Sequence, residues 1–507
     1  MKTLPTIMSC ALFAALTQAQ TFVTYEEFGA AGDGKTDDQS AIVAAHAAAN
    51  QKRLPVKAGD GKTYYIGRGA KVAVIKTDVD FGTAKFVIDD RELDNIRAPI
   101  FHVEPSSRPF VIKGVDKLSR GQENLGVALP GLCLVEVQNS NVKQYIRYGR
   151  NQNKGFPKKE VFLADRTGAV SPQTPIIWEY EKVTGITARP IDGETLTLKG
   201  GIFTTIANHA ESKYNYHGRG IRIERSNVRV HGLRHEVAEE GDHGAPYSGF
   251  ISVSYCANVT VSNCTFTAHK TYSTIGSAGE PVSMGSYDLS ANNSVNISYI
   301  GCRQTTDIND RRYWGLFGSN YCKNLLYDDC VFSRFDAHMG VANATVRNST
   351  LGHMGINAIG FGTFLVENTT VRSGNFFNLR SDYGSTWDGE FIVRNCTFVP
   401  ADGRSATGTL VNGSITDWHD FGYTCRMPRR IVFDGLKIDD SHHPEKYSGP
   451  NIFGQFSKKN VAPGYVEKYP YHLTEEVVLR NVKTASGKEL TTSPNRYLFR
   501  NVKIVRE

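Results

Sequence analysis

The 507-residue sequence predicts an all-β protein, a right-handed parallel β-helix with a short N-terminal capping helix. Three observations carry that prediction. A short phrase of alternating apolar and polar residues recurs down the C-terminal two-thirds of the chain. Its copies are unevenly spaced above a floor of about twenty residues. The chain also opens on a glycine- and aspartate-rich segment followed by an alanine-rich stretch.

The recurring phrase appears as Asn227-Val-Arg-Val-His-Gly-Leu233, Asn258-Val-Thr-Val-Ser-Asn-Cys264, Asn296-Ile-Ser-Tyr-Ile-Gly-Cys302 and Asn324-Leu-Leu-Tyr-Asp-Asp-Cys330. Shorter copies end on Ser349, Thr369 and Cys396, and weaker ones run over 431–436, 477–482 and 498–502. Strict alternation marks a strand with one buried face. The end positions 233, 264, 302, 330, 349, 369 and 396 lie 31, 38, 28, 19, 20 and 27 residues apart. One turn of backbone with loops inserted at will gives this spacing, as stacked coils require. A propeller blade needs four strands, which twenty residues barely supply, and a leucine-rich repeat would be denser in leucine. Stacking puts Cys264, Cys302, Cys330 and Cys396 on one interior ladder as free, buried thiols. The Asn-X-Ser/Thr sequons at Asn258, Asn263, Asn348, Asn368 and Asn395 arise from the repeat and read as turn-ladder asparagines.

At the N-terminus, Phe28-Gly-Ala-Ala-Gly-Asp-Gly-Lys-Thr-Asp-Asp-Gln-Ser-Ala-Ile42 leads into an alanine-rich stretch to Asn50, with Thr36 or Asp37 expected to cap the helix. Leu54-Pro-Val-Lys-Ala-Gly-Asp-Gly-Lys-Thr-Tyr-Tyr-Ile66 follows. Together these segments resemble the opening of the pectate-lyase-like superfamily, which includes polygalacturonases, polysaccharide lyases and phage tailspikes. The resemblance implies that the helix covers the open end of the β-helix and that these aspartates are structural.

Residues 1–19 read as a signal peptide, with Lys2 ahead of an apolar stretch and Ala19 at the cleavage point, so a secreted or periplasmic protein is expected. Residues 20–130 then form the N-terminal cap and first coils, 131–215 an irregular insertion or loop-rich coils, and 216–507 the main β-helix. Eight cysteines follow the leader, without a CxxC pair or zinc-type cluster. A hydrophobic fraction of 40% excludes disorder, and 48 glycines point to many tight turns. The net charge of +7 suits an acidic polysaccharide as partner. Neither nucleic acid nor a membrane span is expected, and a monomer is. The basic, aromatic stretch from Arg147 to Lys159 could touch an acidic polymer or form a solvated loop.

Polar and bulky residues crowd into 307–390, on four consecutive coils. Counted back from each following repeat end, Arg334, His338, His353, Asn357, Arg380 and Tyr383 fall on adjacent rungs of one face, with Trp314. Asp336-Ala-His-Met-Gly-Val-Ala-Asn343, Gly352-His-Met-Gly-Ile-Asn-Ala-Ile-Gly360 and Asn378-Leu-Arg380 resemble a decayed polygalacturonase signature. In that family a pair of aspartates, a Gly-His-Gly phrase and a basic motif occupy successive coils. His353 and Arg380 match; Ala337 replaces the second aspartate beside Asp336, and Tyr313-Trp314 stands where Asn-X-Asp belongs.

Glycoside hydrolysis ordinarily needs two opposed carboxyl groups. Histidines, arginines and a tyrosine instead suit β-elimination from a uronic acid, where a cation neutralises the carboxylate, a base removes the α-proton and an acid protonates the leaving oxygen. The expected catalytic set is Arg380 and Arg334 for neutralisation, His338 or His353 as base, and Tyr383 as acid. Trp314 and Trp387 are expected to stack on sugar rings, Arg311 and Arg312 to hold flanking acidic groups, and Asp336 and Asn357 to contact substrate. The leading function is a polysaccharide lyase acting on a glycosaminoglycan- or pectin-like chain. The alternatives are a polygalacturonase-like hydrolase using Asp336 with Asp310, Asp382 or Asp388, and a non-catalytic glycan-binding β-helix. No cofactor is required by the sequence; Asp382 and Asp388 leave room for a calcium ion.

Overall fold

The computed structural model describes residues 21–384, 386–403, 407–413, 423–454, 464, 469, 471–493, 495 and 499–507. The expected signal peptide at 1–19 lies outside them, as does the start of the weak repeat copy at 498–502. A 32-stranded sheet, parallel throughout, winds up the chain as a β-helix with three walls per coil. One coil shows the plan. Val295–Ile300 forms the first wall, Arg303–Gln304 the second after Gly301, and Phe317–Asn320 the third after a loop. The next coil lies on it in register, with Ile297 beside Leu325, Arg303 beside Val331 and, one coil below, Leu289 beside Phe317. Two strands, Val331–Arg347 and Thr350–Glu367, each run through most of a coil and pair along their length.

Alternation fills the interior. Val295, Ile297 and Tyr299 are buried while their neighbours face outward; Phe86 stacks on Phe203 of the next coil and Phe377 on Phe391 across one coil (centroids 4.7 and 4.0 Å). All eight cysteines among the described residues are free and buried. The Cys330 amide donates to Ser349 Oγ and the Ser349 amide is directed at Thr369 Oγ1, so small side chains continue the ladder between cysteines. Burial pushes the Cys396 thiol up to about 11, which keeps it protonated and inert.

The turns are held by asparagine. Asn227, Asn258, Asn296, Asn324 and Asn343 all have left-handed backbone, φ between 57 and 61°. From Asn258 on, each passes a side-chain amide hydrogen to the side-chain carbonyl of the one a coil below, over 2.9, 2.9, 2.9 and 3.3 Å. The other sequon residues Asn263, Asn348, Asn368 and Asn395 also take positive φ at coil turns.

The helix Gln39–Lys52 covers the N-terminal end, burying Ile42, Ala45 and Ala49 on the first coil. Its N-cap is Asp38, not Thr36 or Asp37. Thr36 is drawn into a turn whose amides donate to Asp33, and the Asp38 carboxylate accepts from the Ala31 and Gly32 amides instead of capping.

The expected irregular segment is ordered. Phe110–Val111, Cys133–Gln144, Phe156–Ala164 and Gly185–Pro190 form an antiparallel sheet over a separate core that includes Val135, Phe162 and Ile186. The chain leaves the stack after Phe101–Val103 and rejoins it at Leu196–Ile206, before residue 216. Buried Lys323 bonds Glu160 at 2.6 Å and the Pro175 carbonyl at 2.5 Å, fastening this sheet to the coils. Among the described residues no helix is long and apolar enough to cross a membrane.

The ladder makes Asn296→Ala lower stability by about 2 kcal/mol, through two lost amide bonds and a strained φ. Asn296→Gly relieves the strain and regains about half. The urea unfolding midpoints of the three proteins check this; an alanine variant as stable as the parent contradicts it.

Candidate active site

Period-two alternation builds the floor of a cleft on the outer face of the coils. In Arg334-Phe-Asp-Ala-His338, Phe335 and Ala337 point into the core, which leaves Arg334, Asp336 and His338 on the outer face. In-register pairing sets Asn357 beside Asp336 and Asn378 beside Asn357. Their amides form a second ladder, Asn378 to Asn357 at 2.8 Å and Asn357 to Asp336 at 3.0 Å. The cleft, about 450 Å³, is lined by Arg334, His338, His353, Asn357, Arg380, Tyr383 and Trp314 of the residues singled out from sequence. Arg147, Tyr216, Tyr287 and Asn378 join them.

Guanidinium groups wall this cleft, with carboxylates tucked behind. Arg380, at φ 50°, bonds Asp382 through Nε and Nη2 at 2.9 and 2.7 Å, and Arg147 bonds the same carboxylate at 2.7 Å. Despite the burial that opposes ionisation, these two cations hold Asp382 down at about 2. Their guanidiniums lie 5.1 and 5.3 Å from the Tyr383 ring centre, so the phenol sits between two cations. Burial raises the Tyr383 pKa, while Arg147 and Arg380 pull against that rise.

Arg334 is almost wholly buried, stacked 5.5 Å from Trp314. Its Nη2 lies 2.7 Å from Asp336 Oδ2, an ion-pair distance without hydrogen-bond alignment. Nε and Nη1 of Arg334, Trp314 Nε1 and His353 Nε2 are buried without hydrogen-bond partners. An unsatisfied buried polar group costs about 1–3 kcal/mol, so three donors left open on one cleft wall suit an oxyanion that fills them.

The two histidines differ in role. His338 Nδ1 lies 2.8 Å from Asn320 Oδ1, whose own amide donates to Asn292. That assignment makes Nδ1 the protonated nitrogen and leaves Nε2 with the lone pair. Burial above all, with help from Arg380 and Arg334, lowers the His338 pKa to about 4 against the opposing pull of Asp336 and Asp382. The ring packs edge-on to Tyr383 at 5.3 Å. His353 is also shifted down by burial, and its ring donates to the Tyr313 carbonyl.

Three expectations are corrected. Trp387 is inside the β-helix, paired with Gly360, 5.3 Å from Phe364 and donating Nε1–H to the Gly362 carbonyl, so it cannot stack on a sugar. Arg311 and Arg312 are exposed on the loop before Phe317 and do not line the cleft; Arg312 is occupied by Asp310. Asp336 is fully buried, against Arg334 and Asn357. The calcium expectation also changes, because Asp382 is bound by two arginines and Asp388 contacts Arg120 and Arg426. Among the described residues no group of three or more His, Cys, Asp or Glu side chains could hold a metal ion.

Sequence reading missed Tyr216 and Tyr287, because nothing in Ser-Tyr287-Asp-Leu distinguishes it from core tyrosines such as Tyr299. Arg147 lay in the flagged basic stretch, and its loop reaches the cleft from the inserted sheet.

The environment of His338 gives a titration to measure. Below its unfolded pKa the folded protein still resists protonating this ring, so nuclear magnetic resonance detects neutral, Nδ1-protonated imidazole down to about pH 4. A midpoint near the ordinary 6.5 contradicts the site geometry.

No family model matches the chain. A depolymerase specific for capsule KL64, from Klebsiella phage P510, is 30% identical over 134 residues, 22% of this chain and 13% of that protein. The chain therefore spans only a small part of that relative. Tailspike gp61 of Pseudomonas phage phi297 superposes with a TM-score of 0.54 at 14% identity, over 92% of this chain and 81% of that one. Tailspike Gp54 of Acinetobacter baumannii bacteriophage AP22, solved with A. baumannii capsular saccharide, gives 0.53 at 11% identity, over 95% and 79%. At these identities the likeness is one of fold: the chain has the right-handed parallel β-helix of phage tailspikes, the architecture that the resemblance to the pectate-lyase-like superfamily implied.

Proposed function

We propose that this protein is a polysaccharide lyase that cleaves a uronic-acid-containing chain by β-elimination in the Arg334–His338–Arg380–Tyr383 cleft. The observation that carries the proposal is the pairing of open guanidinium donors with a neutral imidazole on one cleft wall. The uronate carboxylate takes the free Nε and Nη1 donors of Arg334, with Arg380 and Arg147 adding positive potential. Charge neutralisation lowers the barrier to removing the proton at C5, α to that carboxylate. His338 Nε2 accepts this proton, the C5 electron pair becomes the C4=C5 double bond, and the C4–O4 bond breaks. Tyr383 donates its phenolic proton to O4, which leaves as the anomeric hydroxyl of the neighbouring sugar. Arg147 and Arg380 stabilise the resulting phenolate, and proton return from His338 to Tyr383 through solvent restores the site.

The hydrolase alternative finds no suitable general acid among Asp310, Asp382 and Asp388. Asp382 is held ionised by two arginines, Asp310 by Arg312 at about 2, and Asp388 lines a neighbouring cavity. A general acid needs the opposite, a carboxyl whose pKa is raised. That the 134-residue match is to a capsule depolymerase supports a polysaccharide as substrate.

Incubation with a panel of acidic polysaccharides is expected to produce the ultraviolet absorbance of an unsaturated uronate. Reducing ends without that absorbance overturn elimination in favour of hydrolysis, and binding without cleavage favours the non-catalytic reading. His338→Ala is expected to lower kcat about 10²–10⁴-fold and Tyr383→Phe by a similar factor, the range for loss of a general base or acid. If Arg380→Lys and Tyr383→Phe, both folded, keep full activity, the assignment of roles is wrong. The acid limb of kcat/KM should fall near pH 4, where His338 gains its proton, and not near 6.5.

A further inference from the structure

A second compartment adjoins the cleft and differs from it in charge. It is about 300 Å³ and runs over the coils N-terminal to His338, with Tyr216, Tyr287 and His338 shared between the two. Tyr287 marks the boundary. Its ring lies over Gly318, where an added Cβ would come 2.9–3.1 Å from three ring carbons, so a glycine is needed for the ring to lie there. Beyond the boundary the lining is Ser248, Ser290, Asn292, Ser319 and Asn320, hydroxyls and amides stacked coil on coil. No cation lines it. Its one charged side chain is the buried Asp336, already committed to Arg334.

Ser290 supplies an independent sign of a ligand. It is 6% exposed, and its hydroxyl is buried without a hydrogen-bond partner. Gly249 leaves the space in front of it, since a Cβ there would lie 2.7 Å from Ser290 Oγ. An unsatisfied hydroxyl in a chamber of neutral donors and acceptors fits the hydroxyl or acetamido group of an uncharged sugar. A carboxylate or sulfate would find no arginine or lysine among the lining side chains to pair with.

We infer that the two compartments read a repeating heteropolymer: an acidic sugar at the three arginines, and a neutral, unsulfated sugar in the Ser248–Ser290–Ser319 chamber across the bond that breaks. This rests on the proposed elimination. Because O4 leaves with the sugar on the non-reducing side, the neutral sugar occupies that side and the uronate the reducing side. Ser290 is then a specificity-determining residue. A homopolymer of uronic acid would force a second carboxylate into the chamber.

Three kinds of polymer separate the outcomes. Hyaluronan and unsulfated chondroitin alternate a uronate with a neutral N-acetylated sugar, chondroitin sulfates carry sulfate on that sugar, and polygalacturonate and polymannuronate are homopolymeric. An unsulfated alternating polymer is expected to yield unsaturated product at a kcat/KM about tenfold or more above the others, the discrimination that one mismatched polar group can supply. Ser290→Arg is expected to shrink or reverse that preference by adding a cation to the chamber, and Ser290→Ala to weaken it. Equal or faster cleavage of the homopolymers overturns the inference while the elimination reading stands. If no polymer gives unsaturated product, the elimination reading falls. Calorimetric binding of the same polymers then decides the partition: tighter binding of the unsulfated alternating chains upholds it, and equal or weaker binding overturns it.

Discussion

Parallel hydrogen bonding of each coil on the one below governs nearly everything in this molecule. It repeats every side chain position at the spacing of neighbouring strands, so chemically like residues stack into ladders. Inside, that yields the ring stacks and the file of buried thiols; at the turns, the asparagine amides; on the third wall, the run from Asn378 through Asn357 to Asp336. The same registration places Arg334, His338 and Asn357 without help from a mobile loop. A cleft on such a wall is stiff, and the open donors of Arg334 stay open until a ligand fills them.

Electrostatics then decides what the cleft can do. The carboxylates near it are matched by arginines, two of which hold Asp382 as an anion, and arginine is left in surplus. The groups left to move protons are an imidazole kept neutral by burial and a phenol kept protonated by the same burial, in contact with one another. His338 and Tyr383 are tuned by desolvation first and by neighbours second, whereas at Asp382 the two arginines prevail over burial.

The sequence made the fold legible because the ladder constraint writes itself as a repeated phrase with variable gaps. Asn258 and Cys264 were readable in this way as turn and core. The alternation Arg334-Phe-Asp-Ala-His338 equally disclosed which residues share the outer face. Trp387 misled because register, not composition, decides whether a tryptophan after a loop faces in or out, and the irregular loop before it hides the register. Arg147 comes from more than a hundred residues away, through a sheet with its own core, and Tyr216 from the loop that follows Leu196–Ile206. No local pattern links that sheet to the coils; contacts made only in the fold do so, among them Lys323 with Glu160, Trp178 with Phe361 and Arg147 with Asp382.

The central claim is that a uronate sits on the arginines with its C5 toward His338. A crystal structure of the His338→Ala protein with an acidic oligosaccharide tests it most directly. The account predicts a carboxylate bonded to Arg334 Nε and Nη1, with C5 beside the emptied imidazole position and the bridging oxygen within reach of Tyr383. A saccharide bound elsewhere on the β-helix, or one whose carboxylate turns away from Arg334 and Arg380, would contradict it.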